Sequence, residues 1–154
     1  MPTPRRTRRR RRGQTTIGWR ERVSLPDFGV SRIRAKIDTG AQTSSLHASR
    51  PRFTQQDDGE WITFELYPRR RSRRDSVRIS AKVIEHRWVR SSNGQRELRP
   101  VIETKLHLGQ EIWEAEFTLT DRNNMSYRMI LGRSALRGRF TVDSGRSYLL
   151  PDGE

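Results

Sequence analysis

The chain has 154 residues, 31% of them hydrophobic, which suits one domain with a small core and leaves little room for two. It carries no cysteine, which excludes disulfides, thiolate metal sites and a cysteine nucleophile. A net charge of +14, from 32 Lys and Arg against 18 Asp and Glu, makes polyanions and acidic peptides the partners to consider.

The charge is unevenly spread. Seven Arg lie between Arg5 and Arg12, leaving 25 Lys and Arg against 18 acids in the remainder, and a second run, "RRRSRR", spans Arg69 to Arg74. A like-charged run repels itself, so residues 1–16 are expected to form a disordered basic arm ahead of one folded domain, 17–154. Such an arm suits contact with RNA or a ribosome through Arg5–Arg12 by counterion release, or serves only as a solubilising tail. No aromatic residue is interleaved in it, which argues against base stacking. No apolar run approaches the ~20 residues of a membrane span. No apolar segment follows "MPTPRRTRRRRRGQTT" as a signal peptide requires, so a soluble, cytoplasmic protein without membrane contact is expected.

From Ile17 onward the pattern is short strands and turns. A strand is predicted over Ile17–Leu25, ended by Pro26-Asp27 and a turn at Gly29. In "VSRIRAKID" the alternation places Ile33, Ala35 and Ile37 on one face, opposite Arg32, Arg34 and Lys36, and the strand stops at Asp38-Thr39-Gly40. "EWITFELYP" reads as a half-buried strand, with the Arg69–Arg74 run in the loop after it. "VRISAKVIEHRWV" reads as one long strand, Val77–Val89, turning at Asn93-Gly94 in a type I′ hairpin. In the returning strand "RELRPVIETKLHLG", Pro100 argues for an edge position or a bulge. A turn at Leu108-Gly109-Gln110 leads into the alternating strand "EIWEAEFTLTD". The end is predicted as a buried strand at Met129–Leu131, a Gly-Arg turn, a short helix around Ser134–Arg137, and a hairpin of Phe140–Val142 with Ser147–Leu150. Seven or eight strands and one short helix indicate an all-β, barrel-like domain.

"KIDTGAQTS" resembles the active-site loop of aspartic proteases, and "RMILGRSAL" resembles the second signature of the retroviral type: a buried strand, Gly-Arg, then a short helix. With "WRERVSLPDFGV", "DTGAQTSSLHA", "RPVIETKLHLG", "FTLTDRNNMSYRMILGR" and "FTVD", the chain from Ile17 to Leu150 resembles the retropepsin-like family associated with RimK-type glutamate ligases, often labelled ATP-dependent zinc proteases. The resemblance implies a retropepsin-like acid-protease barrel. It also implies an aspartic endopeptidase in which Asp38, Thr39 and Gly40 carry the catalytic motif, while Ala41, Gln42 and Arg133 flank the substrate.

Aspartic proteolysis needs two carboxylates that share one proton, one activating water and the other protonating the leaving amide. Asp38 supplies one of them, with Gly40 allowing close backbone approach and Thr39 bracing the neighbouring loop. Asp143, in "VDSGRS", is rejected as the second, because too few residues follow it to build another lobe; it is read as a tight turn. The partner is then Asp38 of a second copy, and a homodimer follows. Four positions after Asp38, where retroviral enzymes carry a carboxylate that pairs with the Gly-Arg arginine, this chain has Gln42. Arg133 must therefore find another acid or a carbonyl, or face the cleft as an anion site. The association with glutamate ligases and a cleft flanked by Arg32, Arg34, Lys36 and Arg133 suggest an acidic or polyglutamylated protein tail as substrate. A solvated basic strand face explains the same residues.

"WVRSSNGQRELR" is the candidate flap by position. No zinc motif is present: His47, His86 and His107 are widely spaced, and only His47 falls near the Asp38 loop, where a structural role also suits it. No phosphate loop and no GxSxG turn occur, so neither a metal nor any other cofactor is expected, and any ATP dependence would belong to a partner. The alternative to a peptidase is a non-catalytic basic docking module on the same fold, binding RNA, a ribosome or an acidic peptide.

Overall fold

Strands form where apolar residues alternate, and the buried set places each of them. The computed structural model describes residues 14–68, 76–91, 93–121 and 126–151. Most of the basic arm and the whole Arg69–Arg74 run lie outside the described residues. The described part is nearly all β: β1 (Thr15–Gly18), β2 (Arg20–Leu25), β3 (Val30–Ile37), β4 (Ser44–His47), β5 (Ser49–Gln56), β6 (Gly59–Leu66), β7 (Val77–Lys82), β8 (Glu85–Arg90), β9 (Arg96–Leu108), β10 (Glu111–Thr120), β11 (Met129–Leu131), one helix α1 (Arg133–Leu136) and β12 (Phe140–Asp143).

The strands β10-β4-β11-β3-β2-β9 run side by side, and β9 pairs again with β10, closing a six-stranded barrel; β8 extends the sheet beyond β9. Closure through β9 and β10 reduces the open edges that would otherwise invite pairing with another chain, and β8 remains an edge strand. A separate antiparallel sheet, β5-β6-β7, packs Ile62, Phe64, Leu66 and Ile79 into the same core as Val23, Ile33, Leu46, Leu106 and Phe117. Within β3, Ile33, Ala35 and Ile37 are buried as their spacing predicts, and Lys36 is exposed.

Several boundaries differ from the sequence pattern. The chain expected as one strand from Ile17 to Leu25 breaks at Trp19: β1 pairs in parallel with β12, while β2 joins the barrel. β1 begins at Thr15, inside the span 1–16 assigned to the arm. "VRISAKVIEHRWV" is two strands, because Val83 N–H still bonds the Glu60 carbonyl of β6 while Ile84 N–H bonds that of Val101 in β9, which carries the chain from the small sheet to the barrel. The pair β4 and β5 is new, built from a hydroxyl-rich and a charged segment. Ser147–Leu150 forms no strand. At the β8–β9 turn Gly94 is left-handed, with φ 85°, but it closes the turn on Ser91, so Asn93 and Gly94 are not the two central residues of a type I′ turn. Gly94 N–H donates to the Ser91 carbonyl and Ser91 N–H to that of Gln95. Pro100 lies where β9 has left β10 and pairs with β8 alone, so its missing N–H costs no ladder bond on the open side.

The C-terminal segment is held by one acid. Glu21, 1% exposed in β2, accepts hydrogen bonds from the N–H groups of Gly18 (2.8 Å), Leu149 (2.9 Å) and Leu150 (3.3 Å). Trp19 N–H donates to the Arg146 carbonyl at 2.8 Å, closing the same seam. Replacing Glu21 by Ala strands these backbone donors, so Glu21→Ala should lower unfolding stability by about 3 kcal/mol in urea titrations. Glu21→Gln, which retains one acceptor oxygen, should lose about half as much.

Candidate active site

β3 ends where its last buried residue, Ile37, gives way to Asp38, and the turn that follows is set by the Asp38 side chain. Gly40 N–H donates to Asp38 Oδ1 at 3.0 Å and Ala41 N–H to the Asp38 carbonyl at 3.2 Å. This is the Asx turn that Asp favours at a strand end. Six hydrogen bonds then lock residues 38–44 to residues 131–134. Asp38 N–H donates to the Leu131 carbonyl (2.9 Å), Arg133 N–H to that of Ala41 (2.8 Å), and Ser134 N–H and Oγ to that of Gln42 (3.0 and 2.7 Å). Gly132 N–H donates to Ser44 Oγ (3.0 Å), and Arg133 Nη1 to the Thr39 carbonyl (3.0 Å). The strand β11, parallel to β3 and antiparallel to β4, is what brings the two segments together.

Asp38 borders a cleft of about 1130 Å³. Its floor is Gly40, Ala41, Gln42 and Ser134, one wall carries Trp19 and Tyr127, and its roof is the β8–β9 hairpin, through residues 87–91 and Arg99. The segment read as a flap thus borders the same cleft as Asp38. Trp19 and Tyr127 meet edge to face at 6.3 Å between ring centres; the Arg20 guanidinium stacks on Trp19 (4.6 Å) and that of Arg34 on Tyr127 (5.1 Å).

Of the residues singled out in the sequence, Asp38, Gly40, Ala41, Gln42 and Lys36 line this cleft. Thr39 and Arg133 do not: both are exposed, and Arg133 neither pairs with an acid among the described residues nor faces the cleft. It braces the Asp38 turn through the Thr39 carbonyl, which is how the loss of the acid at Gln42 is accommodated. Arg32 and Arg34 also fall outside the lining. The cations missed by pattern reasoning are Arg87, Arg90 and Arg99, from the two strands of the hairpin. Their presence in "EHRWVR" and "RELRP" is visible in sequence, but not the cleft that they line. Arg87 donates to Glu116 Oε1 at 2.9 Å and to Glu85. The hydrogen bond to Glu116, with the further contribution of Glu85, outweighs partial burial and holds the Arg87 guanidinium above its usual pKa.

Asp143 forms the same local turn as Asp38, with Gly145 N–H on its Oδ1 at 3.0 Å, but it borders no part of the cleft. His47 is buried in β4, its Nε2 at 3.0 Å from Ser49 Oγ, and does not line the cleft. Among the described residues no group of three or more His, Asp or Glu is arranged to hold a metal ion.

A family model described as RimB-like, the retropepsin-like aspartic endopeptidase RimB, matches residues 16–152. The chain belongs to this family. A protein named "Probable alpha-L-glutamate ligase" from Parasynechococcus marenigrum is 45% identical over 136 residues, covering 88% of this chain and 29% of that protein. One of the same name from Shewanella pealeana is 42% identical over 134 residues, covering 87% and 29%. The chain thus spans less than a third of the length of the curated relatives it matches. The crystal structure of Lpg0085, of unknown function, from Legionella pneumophila shares the fold, with a TM-score of 0.71 at 21% identity over 88% of this chain and 97% of that one. In this RimB-like chain no helix among the described residues is long and apolar enough to cross a membrane.

The family signature depends on one close approach. A Cβ at Gly132 would sit 2.6 Å from the Thr43 carbonyl oxygen and 2.9 Å from that of Ala41. Gly132→Ala should therefore cost about 2 kcal/mol in denaturant midpoint. It should also speed amide hydrogen exchange at Arg133 and Ser134, whose N–H groups bond that loop.

Proposed function

We propose that this chain is an aspartic endopeptidase of retropepsin type, active as a homodimer that acts on an acidic or polyglutamylated protein tail. The observation that carries the reading is the Asp38 carboxylate, fixed by its Asx turn and by the 131–134 segment, and open to a peptide-sized cleft. One chain offers one such carboxylate. Two copies related by a twofold axis between their Asp38 turns would place the two acids side by side, sharing one proton. The ionised partner would take a proton from water as it attacks the scissile carbonyl, and the protonated partner would give its proton to the leaving amine. Thr39 lies exposed beside Asp38, where the second copy's turn would pack, and Gly40 leaves room for that approach. The β8–β9 hairpin is suited to close over the bound chain and exclude water. Arg133 acts here as a brace of the catalytic turn.

The acidic substrate is supported by the cations Lys36, Arg87, Arg90 and Arg99 around the cleft, against Asp38 and Glu116. It is supported also by the relatives' printed name, glutamate ligase. That name favours a second reading in one respect. A domain matching under a third of a ligase-named protein could hold a glutamylated tail without cutting it, with the basic residues as its docking surface. The two readings part on turnover. With a glutamate-tailed peptide, Asp38→Asn is expected to lose hydrolysis by about 10³-fold, read by mass spectrometry of the products. Activity should also follow the dimer fraction measured by analytical ultracentrifugation. Equal hydrolysis by wild type and Asp38→Asn rules out the peptidase.

A further inference from the structure

The roof of the cleft holds an arrangement that a sheet ordinarily avoids. Arg87 of β8 and Arg99 of β9 are directly opposite in register, on the hairpin face that carries Glu85 and Glu97, and both line the cleft. Like charges directly opposite destabilise a hairpin. Arg87 is compensated by its two glutamates. Arg99 is not compensated to the same degree, although it is the more buried, at 5% exposed.

A guanidinium has five N–H donors. Arg99 uses Nη2 towards Glu97 at 3.3 Å and Nη1 towards Ser45 Oγ at 3.4 Å, both long for charge-assisted bonds. Its Nε finds no partner among the described residues. Glu97 itself is 42% exposed, so its charge is shared with water. A buried cation with so little compensation is costly unless an anion from outside completes it.

We infer that Arg99, with Arg87 opposite and Ser45 beside it, forms a carboxylate subsite in the cleft roof that selects a glutamyl or aspartyl side chain of the bound peptide. The planar guanidinium fork matches a carboxylate with paired N–H···O bonds, which a lysine could not do. Ser45 Oγ lies within 3.0 Å of Thr118 Oγ1, which fixes its place beside Arg99. Glu85 and Glu116 bond the Arg87 guanidinium, and Glu97 that of Arg99. The arriving carboxylate takes the donors that these exposed acids leave under-used. The inference rests on the cleft being a peptide site, and it assigns a specificity-determining role to Arg99.

The test measures binding without turnover. In the Asp38→Asn chain, a capped pentaglutamate peptide should bind at least about tenfold more tightly than capped pentaglutamine, by fluorescence anisotropy. Adding Arg99→Gln should reduce that ratio to about two or less. Arg99→Lys keeps the charge in nearly the same volume and covers the case in which Arg99→Gln fails to fold. It should fold and lose at least about threefold of the ratio. An undiminished ratio in either folded variant, or no preference in Asp38→Asn, overturns the subsite. A wild type that hydrolyses neither peptide sinks the peptidase while these binding ratios still decide the role of Arg99.

Discussion

At Gly132 the backbone passes so near the carbonyls of Ala41 and Thr43 that no side chain could be accommodated, and the geometry of the Asp38 turn follows from that passage. β11 is three residues long and would not persist alone. It is held because Met129 and Leu131, both fully buried, sit between β3 and β4 and complete the barrel. The residues just past it then meet the Asp38 turn backbone to backbone. This accounts for the composition of "DTGAQTSS": a segment fixed through its own carbonyls needs small residues, and has no use for an apolar anchor. The Asp38 turn is thus tied by hydrogen bonds to a segment that leads straight out of the buried core.

The second constraint is electrostatic. Counting basic residues overstates the number of guanidiniums free to contact a ligand directly, since several are packed against aromatic rings. Arg20 and Arg34 cover the Trp19–Tyr127 wall, Arg22 lies over Tyr148 at 4.1 Å, and Arg139 lies over Trp113 at 4.8 Å while reaching Glu111 at 3.4 Å. Flat, weakly hydrated guanidiniums can pave aromatic surfaces in a way that lysine cannot. What remains for the cleft is a smaller set, and most of it comes from one hairpin.

That division explains what could be read from the sequence and what could not. The buried face of β3, the strands of "EWITFEL" and "EIWEAEFTLT", the MetIleLeu strand and the short helix are legible because period-2 alternation and turn residues are local signals. The break at Val83-Ile84 is not, because both residues are apolar and strand-forming. Only the transfer of the chain from the β6–β7 sheet to the barrel separates β7 from β8. β4 escaped for the opposite reason: Ser44, Ser45 and His47 carry no strand signature, and pair in parallel with residues 117–120 by tertiary context. Asp38 was legible as a motif, whereas the roles of Arg133 and Arg99 were not. A residue-type pattern cannot say whether a guanidinium faces a carbonyl, a ring or open space.

The two Asp-Thr/Ser-Gly sequences make the same point within one molecule. Asp38 follows the last residue of β3 and Asp143 is the last residue of β12, and each receives the N–H of the glycine two residues on at 3.0 Å, so their local turns are alike. They differ in what crosses them. β12, which ends at Asp143, pairs only with β1 at the margin of the barrel, and the chain beyond it is tied down at Leu149 and Leu150 by Glu21. Past Asp38 a second backbone segment, residues 131–134, braces the turn, and the carboxylate borders a cleft that the β8–β9 hairpin also lines. A tripeptide can fold a turn by itself. Aiming a carboxylate into a cleft takes the barrel, which makes the placement of β11 between β3 and β4 the step on which any chemistry at Asp38 depends.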